Sequence, residues 1–308
     1  MEKYKGYLMV VVAASLWGVS GTAAQYVFDH SDVSMKWLVS VRMLISGLLF
    51  IAFSYYGKER KEIWSVWKSK KSAFQILFFG LAGMLAVQYT YFASIDEGNA
   101  AVATLLQYLA PVFIMIYFLV VFKKVPSRFE MISLVLALMG TFLLLTNGAS
   151  ENLTVPAACI IWGIISGVSL AFYTLYSGKL IRTYPSIIVV GWGMLIGGTT
   201  MMFIKAPWDF DPAGWTFTTI GLIIFVILFG TLVPFFLFID SMRYITAKES
   251  SLLACAEPLS AVLSSVVWLG VPFGLYQGLG GGAIIIMVVL LTLKPKESKK
   301  KMSENVNY

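Results

Sequence analysis

Ten apolar stretches, each about 20 residues long, occupy most of this chain of 308 residues. At about 1.5 Å of rise per residue, a helix of that length crosses the roughly 30 Å hydrocarbon core of a bilayer. Hydrophobic residues make up 58% of the chain and charged residues 13%, whereas soluble domains carry about a quarter charged residues. The predicted fold class is therefore an all-α membrane protein with ten transmembrane helices. These helices are predicted at residues 6–27, 34–56, 73–93, 99–122, 129–146, 154–176, 185–204, 216–239, 248–269 and 274–293.

Lysine and arginine concentrate on alternate connections between these stretches. Residues 57–72, between the second and third stretches, carry six of them, and the tail at residues 294–308 carries five. Because basic loops remain in the cytoplasm, we predict a multi-pass protein of the cytoplasmic membrane with both termini inside. The same loops explain the net charge of +7. The lipid bilayer is therefore an expected partner and nucleic acid is not.

The chain repeats itself at a separation of 147 residues. Five residues of the fourth stretch have an identical or similar residue in or directly before the ninth at this constant offset, and other matches have offsets that drift by a few residues. The constant pairs are Ala100 and Ala247, Thr104 and Ser251, Leu105 and Leu252, Leu106 and Leu253, and Pro111 and Pro258. The drifting matches are Trp17 and Gly18 with Trp162 and Gly163, Gly83 with Gly230, and 43–45 with 194–196.

Five crossings in each unit make the second unit enter the membrane from the opposite side. The charges agree with this, because the connection with Lys123 and Lys124 corresponds to one with Gly270 and Val271 that has no basic residue. We therefore predict two inverted five-helix repeats at 1–148 and 149–293, followed by a basic cytoplasmic tail at 294–308. Inverted repeats are common in secondary transporters, which bind substrate near the midplane between the halves.

Several residues at these positions resemble the drug/metabolite transporter superfamily, and specifically its ten-helix EamA-type members. They are Trp17 and Gly18, Arg42, Pro111, Trp162 and Gly163, and Glu257 with Pro258. The resemblance covers residues 5–295. It implies a cytoplasmic-membrane carrier for small metabolites, often an exporter, with a cavity lined by the first, third and fourth helices and their counterparts. The chain departs from the family where members often carry an acidic residue, at Val125 and Val271.

Two charged residues fall inside apolar stretches. Glu257 lies about 9 residues into the ninth stretch, or roughly 14 Å deep, and Arg42 lies about 8 residues into the second, or roughly 12 Å deep. From opposite faces of the membrane they reach similar depths, which predicts an ion pair or a coupling site. The alternative is that Glu257 is protonated in the scaffold while Arg42 bonds carbonyl groups or extends to the interface.

Polar and aromatic side chains at helical spacing predict the lining of a central cavity, because residues i, i+4 and i+7 share a face. Amides and hydroxyls beside aromatic rings suit a small amphipathic solute, although such residues are also common in ordinary helix packing. The predicted substrate-binding residues are Trp17, Gly21, Met84, Gln88, Tyr91, Thr104, Gln107, Trp162, Ser166, Tyr173, Thr231, Phe235, Ser251 and Glu257.

Three prolines within the stretches are predicted hinges, because proline removes a backbone donor and loosens a helical turn. They are Pro111, Pro234 and Pro258, and each could equally be a passive kink.

The predicted function is a secondary-active or facilitative transporter that moves a small organic metabolite, amino acid or drug by alternating access. An exporter is favoured, and proton coupling through Glu257, exchange and facilitated diffusion are all compatible with the sequence. No GxxxxGK[ST] loop is present, so direct ATP hydrolysis is not expected, and neither a cofactor nor a metal is predicted. The alternatives are a membrane scaffold or receptor and a membrane-embedded enzyme. One histidine and two separate cysteines offer no constellation for catalysis, and the sequence does not define an oligomeric state.

Overall fold

The structure, a computed structural model, describes residues 2–123, 125–148, 153–241, 243–245, 250 and 253–293. The basic tail predicted at 294–308 lies outside the described residues. Ten helical segments are labelled in chain order, two of them containing a π-helical turn. They are α1 Glu2–His30, α2 Met35–Tyr56, α3 Lys70–Asp96, α4 Ala100–Phe122, α5 Arg128–Thr146, α6 Ala157–Leu180, α7 Ser186–Met202, α8 at 217–241, α9 Ala256–Leu269 and α10 Leu275–Leu293.

Seven of these segments are long and apolar enough to cross a membrane, and α7, α9 and α10 are shorter apolar helices. The described residues contain no β-strand. The chain is therefore an all-α membrane protein of about ten helices, which confirms the predicted fold class.

Two helices contain a π-helical turn, and the two turns lie at positions that the internal repeat of the sequence pairs with each other. In α3 the π-helical residues are Phe79–Leu85, and in α8 they are Leu228–Leu232. Gly83 lies in the first and Gly230 in the second, so the matched glycines share an unusual backbone. A π-helical turn contains an extra residue and breaks the regular bonding of its carbonyl groups. The regular spacing assumed from the sequence therefore does not hold through these turns.

Two further interruptions also occur at matched positions. A turn at Tyr108 and Leu109 separates the two helical parts of α4, and a turn at Ala254 and Cys255 precedes α9. Both turns come shortly before a proline of the repeated pattern. A turn therefore precedes the matched proline in both places, within one residue of the same position.

The three predicted hinge prolines each lie in the first turn after an interruption. Pro111 follows the turn in α4, Pro234 follows the π-helical turn of α8, and Pro258 lies near the start of α9. At the start of a helical segment the missing N–H of proline would have had no intrahelical partner. Pro111 and Pro258 therefore cost no bond inside a continuous helix, whereas Pro234 lies within the continuous α8 and removes the N–H that would bond the carbonyl of Gly230 four residues earlier.

The most extensive helix contacts follow a pattern that is unchanged when α1–α5 are exchanged with α6–α10. The α2 helix packs on α7, and α5 packs on α10. The α1 helix packs on α8 and α9, while α6 packs on α3 and α4. Each of these contacts therefore maps onto itself or onto another of them, as expected for two similar halves.

The α2–α7 crossing is reciprocal at the level of single residues. A Cβ atom added to Gly47 would lie 2.7 Å from the backbone nitrogen of Leu195, and one added to Gly198 would lie 2.7 Å from that of Leu44. Glycine at both positions lets the two helices approach each other closely, which is the usual role of small residues between membrane helices.

We expect Gly198→Ala to lower the melting temperature of the purified protein, because the added methyl group would force α2 and α7 apart. Overpacking of this kind costs about 1–3 kcal/mol. The matched control is Gly221→Ala in α8, where no atom lies within 4 Å of the added carbon. Unfolding is monitored by tryptophan fluorescence. Equal melting temperatures for the two variants would contradict the close crossing of α2 and α7.

Candidate functional site

Arg42 projects from α2 into the interior and contacts two other helices. Its side chain is 4% exposed. The Nε group donates to the hydroxyl of Thr231 at 3.0 Å, and Nη2 donates to the carbonyl oxygen of Gly230 at 3.4 Å. The guanidinium carbon lies 4.3 Å from the centre of the Phe92 ring in α3, within the range of a cation–π interaction.

The π-helical turn of α8 explains why Arg42 finds acceptors there. Gly230 and Thr231 both belong to that turn, where the carbonyl groups are not all used by regular helical bonds. The Thr231 hydroxyl donates to the carbonyl oxygen of Val226 at 3.2 Å, so it can only accept from Arg42. The irregular backbone thus provides the acceptors for a buried cation.

Glu257 lies at the start of α9 and bonds to Tyr108 in the turn of α4. The Tyr108 hydroxyl lies 3.0 Å from the Oε2 atom of Glu257 and 2.8 Å from the carbonyl oxygen of Ala254. Both polar groups are therefore held where two helices are interrupted. Tyr108 was not among the residues chosen from the sequence.

The structure does not join Arg42 to Glu257, so the predicted ion pair is absent from it. Arg42 is bonded to α8 and Glu257 to α4, and the described part of the chain has no salt bridge between them. Similar depth in the membrane was the only basis for the prediction, and depth does not fix lateral position. Each side chain has instead found a partner at the nearest break in a helix.

Two more predicted residues, Tyr91 and Thr104, are bonded to each other in the interior. The two hydroxyls are 2.8 Å apart, and both side chains are buried. Gly21 in α1 makes room for this pair, because a Cβ atom there would lie 2.6 Å from the Tyr91 hydroxyl. These three predicted residues therefore form one contact among α1, α3 and α4.

Gln107 and Ser166 form a second predicted contact, between α4 and α6. The Gln107 amide donates to the Ser166 hydroxyl at 2.7 Å, and both side chains are buried. Met84 and Gln88 are buried in α3 as well. Gln88 has no hydrogen-bond partner among the described residues, so its amide is free to bind another group.

The predicted aromatic residues each pack against another ring at the helix interfaces. Trp17 contacts Phe235 edge to face, with ring centres 5.1 Å apart. The remaining pairs are Trp162 with Tyr89 at 5.7 Å and Tyr173 with Phe79 at 5.4 Å. Ser251, the last predicted substrate-binding residue, lies outside the described residues.

Sequence reasoning missed three groups that complete these contacts, namely Tyr108, Phe92 and the carbonyl of Gly230. Tyr108 and Phe92 are each adjacent to a predicted residue but one position off the chosen helical face. The turn in α4 brings Tyr108 toward α9, which a continuous helix would not do. A backbone carbonyl leaves no signal in the side-chain pattern. Among the described residues, no group of three or more His, Cys, Asp or Glu residues could hold a metal ion.

Comparison with known proteins identifies the family of this chain. The model of the EamA-like transporter family matches twice, at residues 4–146 and 157–293. The uncharacterized inner membrane transporter YicL of Salmonella typhimurium is 36% identical over 291 residues, which covers 94% of this chain and 95% of that protein. The chain belongs to the EamA-like transporter family. The predicted family is thus confirmed.

More distant relatives agree in length and in fold. The threonine/homoserine exporter RhtA of Escherichia coli is 23% identical over 300 residues, covering 97% of this chain and 95% of that protein. One solved crystal structure, 17% identical, has a TM-score of 0.62 and covers 94% of this chain and 96% of that chain, which shows a common fold. This EamA-family protein is therefore a multi-pass membrane transporter of a small molecule.

We expect Tyr108→Phe to lower the stability of the transporter by about 1 kcal/mol, because it removes a buried hydroxyl that bonds α9. The same variant should reduce solute binding, since Glu257 loses the group that orients it. Tyr117→Phe is the matched control, because Tyr117 lies further along α4 and is exposed. Unchanged melting temperature and unchanged binding in Tyr108→Phe would show that this hydroxyl has no role.

Proposed function

We propose that this EamA-family protein is a carrier that moves a small organic metabolite, amino acid or drug across the cytoplasmic membrane by alternating access. Its two halves, 1–148 and 149–293, are proposed to be inverted repeats that move relative to each other. Trp17, Gln88, Tyr91, Gln107, Ser166 and Glu257 are proposed to contact the solute. The protein moves the solute without changing it chemically, so no residue is assigned a catalytic role.

The observation that carries this proposal is that three of the interior side-chain hydrogen bonds join the two halves. Arg42 bonds to α8, Tyr108 to α9 and Gln107 to Ser166 of α6, so all three cross from the first half to the second. Rotation of one half against the other would break such bonds and expose polar groups to a solute. This is the behaviour that alternating access requires of a site between inverted repeats.

Export is the proposed direction, and amino acids are the first solutes to test. The support is the relative RhtA, whose name describes a threonine and homoserine exporter and which aligns with nearly the whole chain. Glu257 offers either a site for the amino group of a solute or a carboxyl group for proton coupling. Exchange of one solute for another would need neither a proton nor a further cofactor.

We expect Glu257→Gln to lower counterflow of labelled solute in proteoliposomes at least tenfold, because the neutral amide cannot form the charged hydrogen bond to a solute amino group, which is worth about 1.5–3 kcal/mol. Threonine, homoserine and a panel of aromatic amino acids and amines are the first probes. Glu62→Gln is the matched control, since Glu62 lies in the exposed loop between α2 and α3. Absence of any flux for the whole panel in folded wild-type protein would refute the carrier function and favour a receptor or scaffold.

The charge pattern supports the proposal that both termini are cytoplasmic. With this orientation the loop between α2 and α3 is inside, and the loop between α7 and α8 is outside. Both native cysteines are buried, so a new surface cysteine can be labelled with little background.

We expect a membrane-impermeant maleimide to label Asp211→Cys in intact cells and Lys61→Cys only after the cells are permeabilised. Both positions are exposed in the structure, so access depends on the side of the membrane alone. Labelling is read as a mass shift of the purified protein. The opposite pattern would place the termini outside.

A further inference from the structure

We propose that Arg42 is the docking point for a carboxylate group of the transported solute. This inference rests on the proposed carrier function and makes it more specific. It assigns a chemical class to the solute, and it gives Arg42 a role other than pairing with Glu257.

The guanidinium of Arg42 is only partly satisfied in the structure. Arginine has five N–H donors, of which the structure uses one on Nε and one on Nη2. The Nη1 atom is buried and has no hydrogen-bond partner. An unpaired buried donor is costly, so this amino group is suited to binding an acceptor that arrives with the solute.

No carboxylate of the described residues pairs with the positive charge of Arg42. The salt bridges among the described residues, Lys205 with Asp209 and Arg243 with Asp240, do not involve it. Its polar contacts are a neutral hydroxyl and a backbone carbonyl, on Thr231 and Gly230. Buried charges in membrane helices are normally paired or line a solute pathway. An anionic group on the solute would supply the missing charge.

The second half of the chain shows whether helix packing alone needs an arginine at the position of Arg42. The match of residues 43–45 with 194–196 places Gly193 where the first half has Arg42, and the match of Gly83 with Gly230 places Met84 opposite Thr231. A Cβ atom added to Gly193 would lie 2.9 Å from the Phe79 ring and 3.6 Å from Cβ of Met84. The equivalent helices therefore pack at this point with a glycine and without a charge. Packing of the fold does not require an arginine here.

A carboxylate fits this position better than a phosphate. The Phe92 ring covers one face of the guanidinium, which leaves its edge for a planar, in-plane ligand. A carboxylate carries one negative charge, equal to the charge of Arg42. A phosphate monoester carries nearly two and would leave an excess negative charge in a buried site with one cation. Charge balance thus selects the carboxylate.

The test compares carboxylates with their amides on the purified full-length protein. Butyrate, phenylacetate, L-threonine and L-phenylalanine are each paired with the corresponding amide, and thermal shift and counterflow inhibition are measured. At least one acid of the panel should raise the melting temperature and inhibit counterflow, and should bind at least tenfold more tightly than its amide. Arg42→Gln should abolish this preference, and Arg42→Lys should weaken acid binding about tenfold, because lysine lacks the planar fork.

Arg60→Gln is the matched control. Arg60 also lies over a ring, at 4.4 Å from the centre of Tyr55, and its Nη2 donates to the hydroxyl of that tyrosine, but it lies in an exposed loop. This variant should keep the full preference for acids. If Arg42→Gln does not fold, Arg42→Lys decides the question, because it keeps the buried cation while losing the geometry. An acid preference in Arg42→Lys equal to that of the wild type would then overturn the proposal.

A full acid preference in folded Arg42→Gln would overturn the proposal, as would equal binding of acids and amides by the wild type. In either case flux of an uncharged or cationic solute would leave the carrier function intact. Loss of all flux in the wild type would instead refute the carrier function itself. The two failures are therefore distinguishable.

Discussion

Backbone groups inside a membrane have no water to bond with, and this constraint governs where the EamA-family transporter can be irregular. The helices α3 and α8 contain π-helical turns, and turns interrupt α4 and precede α9. At two of these breaks, polar side chains from other helices bond to the backbone. Arg42 binds the carbonyl of Gly230, and Tyr108 binds that of Ala254. Irregular backbone and polar side chains thus satisfy each other in the interior, which is also where a solute needs hydrogen-bonding groups.

The buried charges follow from the same constraint. Arg42 and Glu257 do not contact each other. Arg42 bonds to the π-helical turn of α8, and Glu257 bonds to Tyr108 in the turn of α4. A direct ion pair between them would neutralise both charges and leave little for a solute to bind. Because the two charges are separate and each is held by neutral groups, each can still bind a group of the solute. The clearest example is the Nη1 atom of Arg42, which is buried and has no hydrogen-bond partner among the described residues.

The architecture could be predicted from the sequence because hydrophobic length and loop charge act over many residues. Nine of the ten helices begin and end within four residues of their predicted bounds, whereas α9 begins at Ala256, eight residues after its predicted start, because a turn at Ala254 and Cys255 precedes it. Gly83 and Gly230, which the repeat pairs, share a π-helical backbone. Individual contacts were harder to predict. Tyr91 with Thr104 and Gln107 with Ser166 are pairs of predicted residues, but the pairing of Arg42 with Glu257 did not form. Lateral position depends on turns and π-helical residues, which periodicity treats as regular helix.

The reciprocal crossing of Gly47 on Leu195 and Gly198 on Leu44 has the form of an isologous interface between identical subunits. In a homodimer every substitution appears on both sides of such an interface. Here the two sides are encoded separately in one chain, so each can change alone. Arg42 opposite Gly193 is a difference of that kind. A crossing that is reciprocal in its glycine contacts can therefore have a cation on one helix, at Arg42, and a glycine at the matched position of the other, at Gly193.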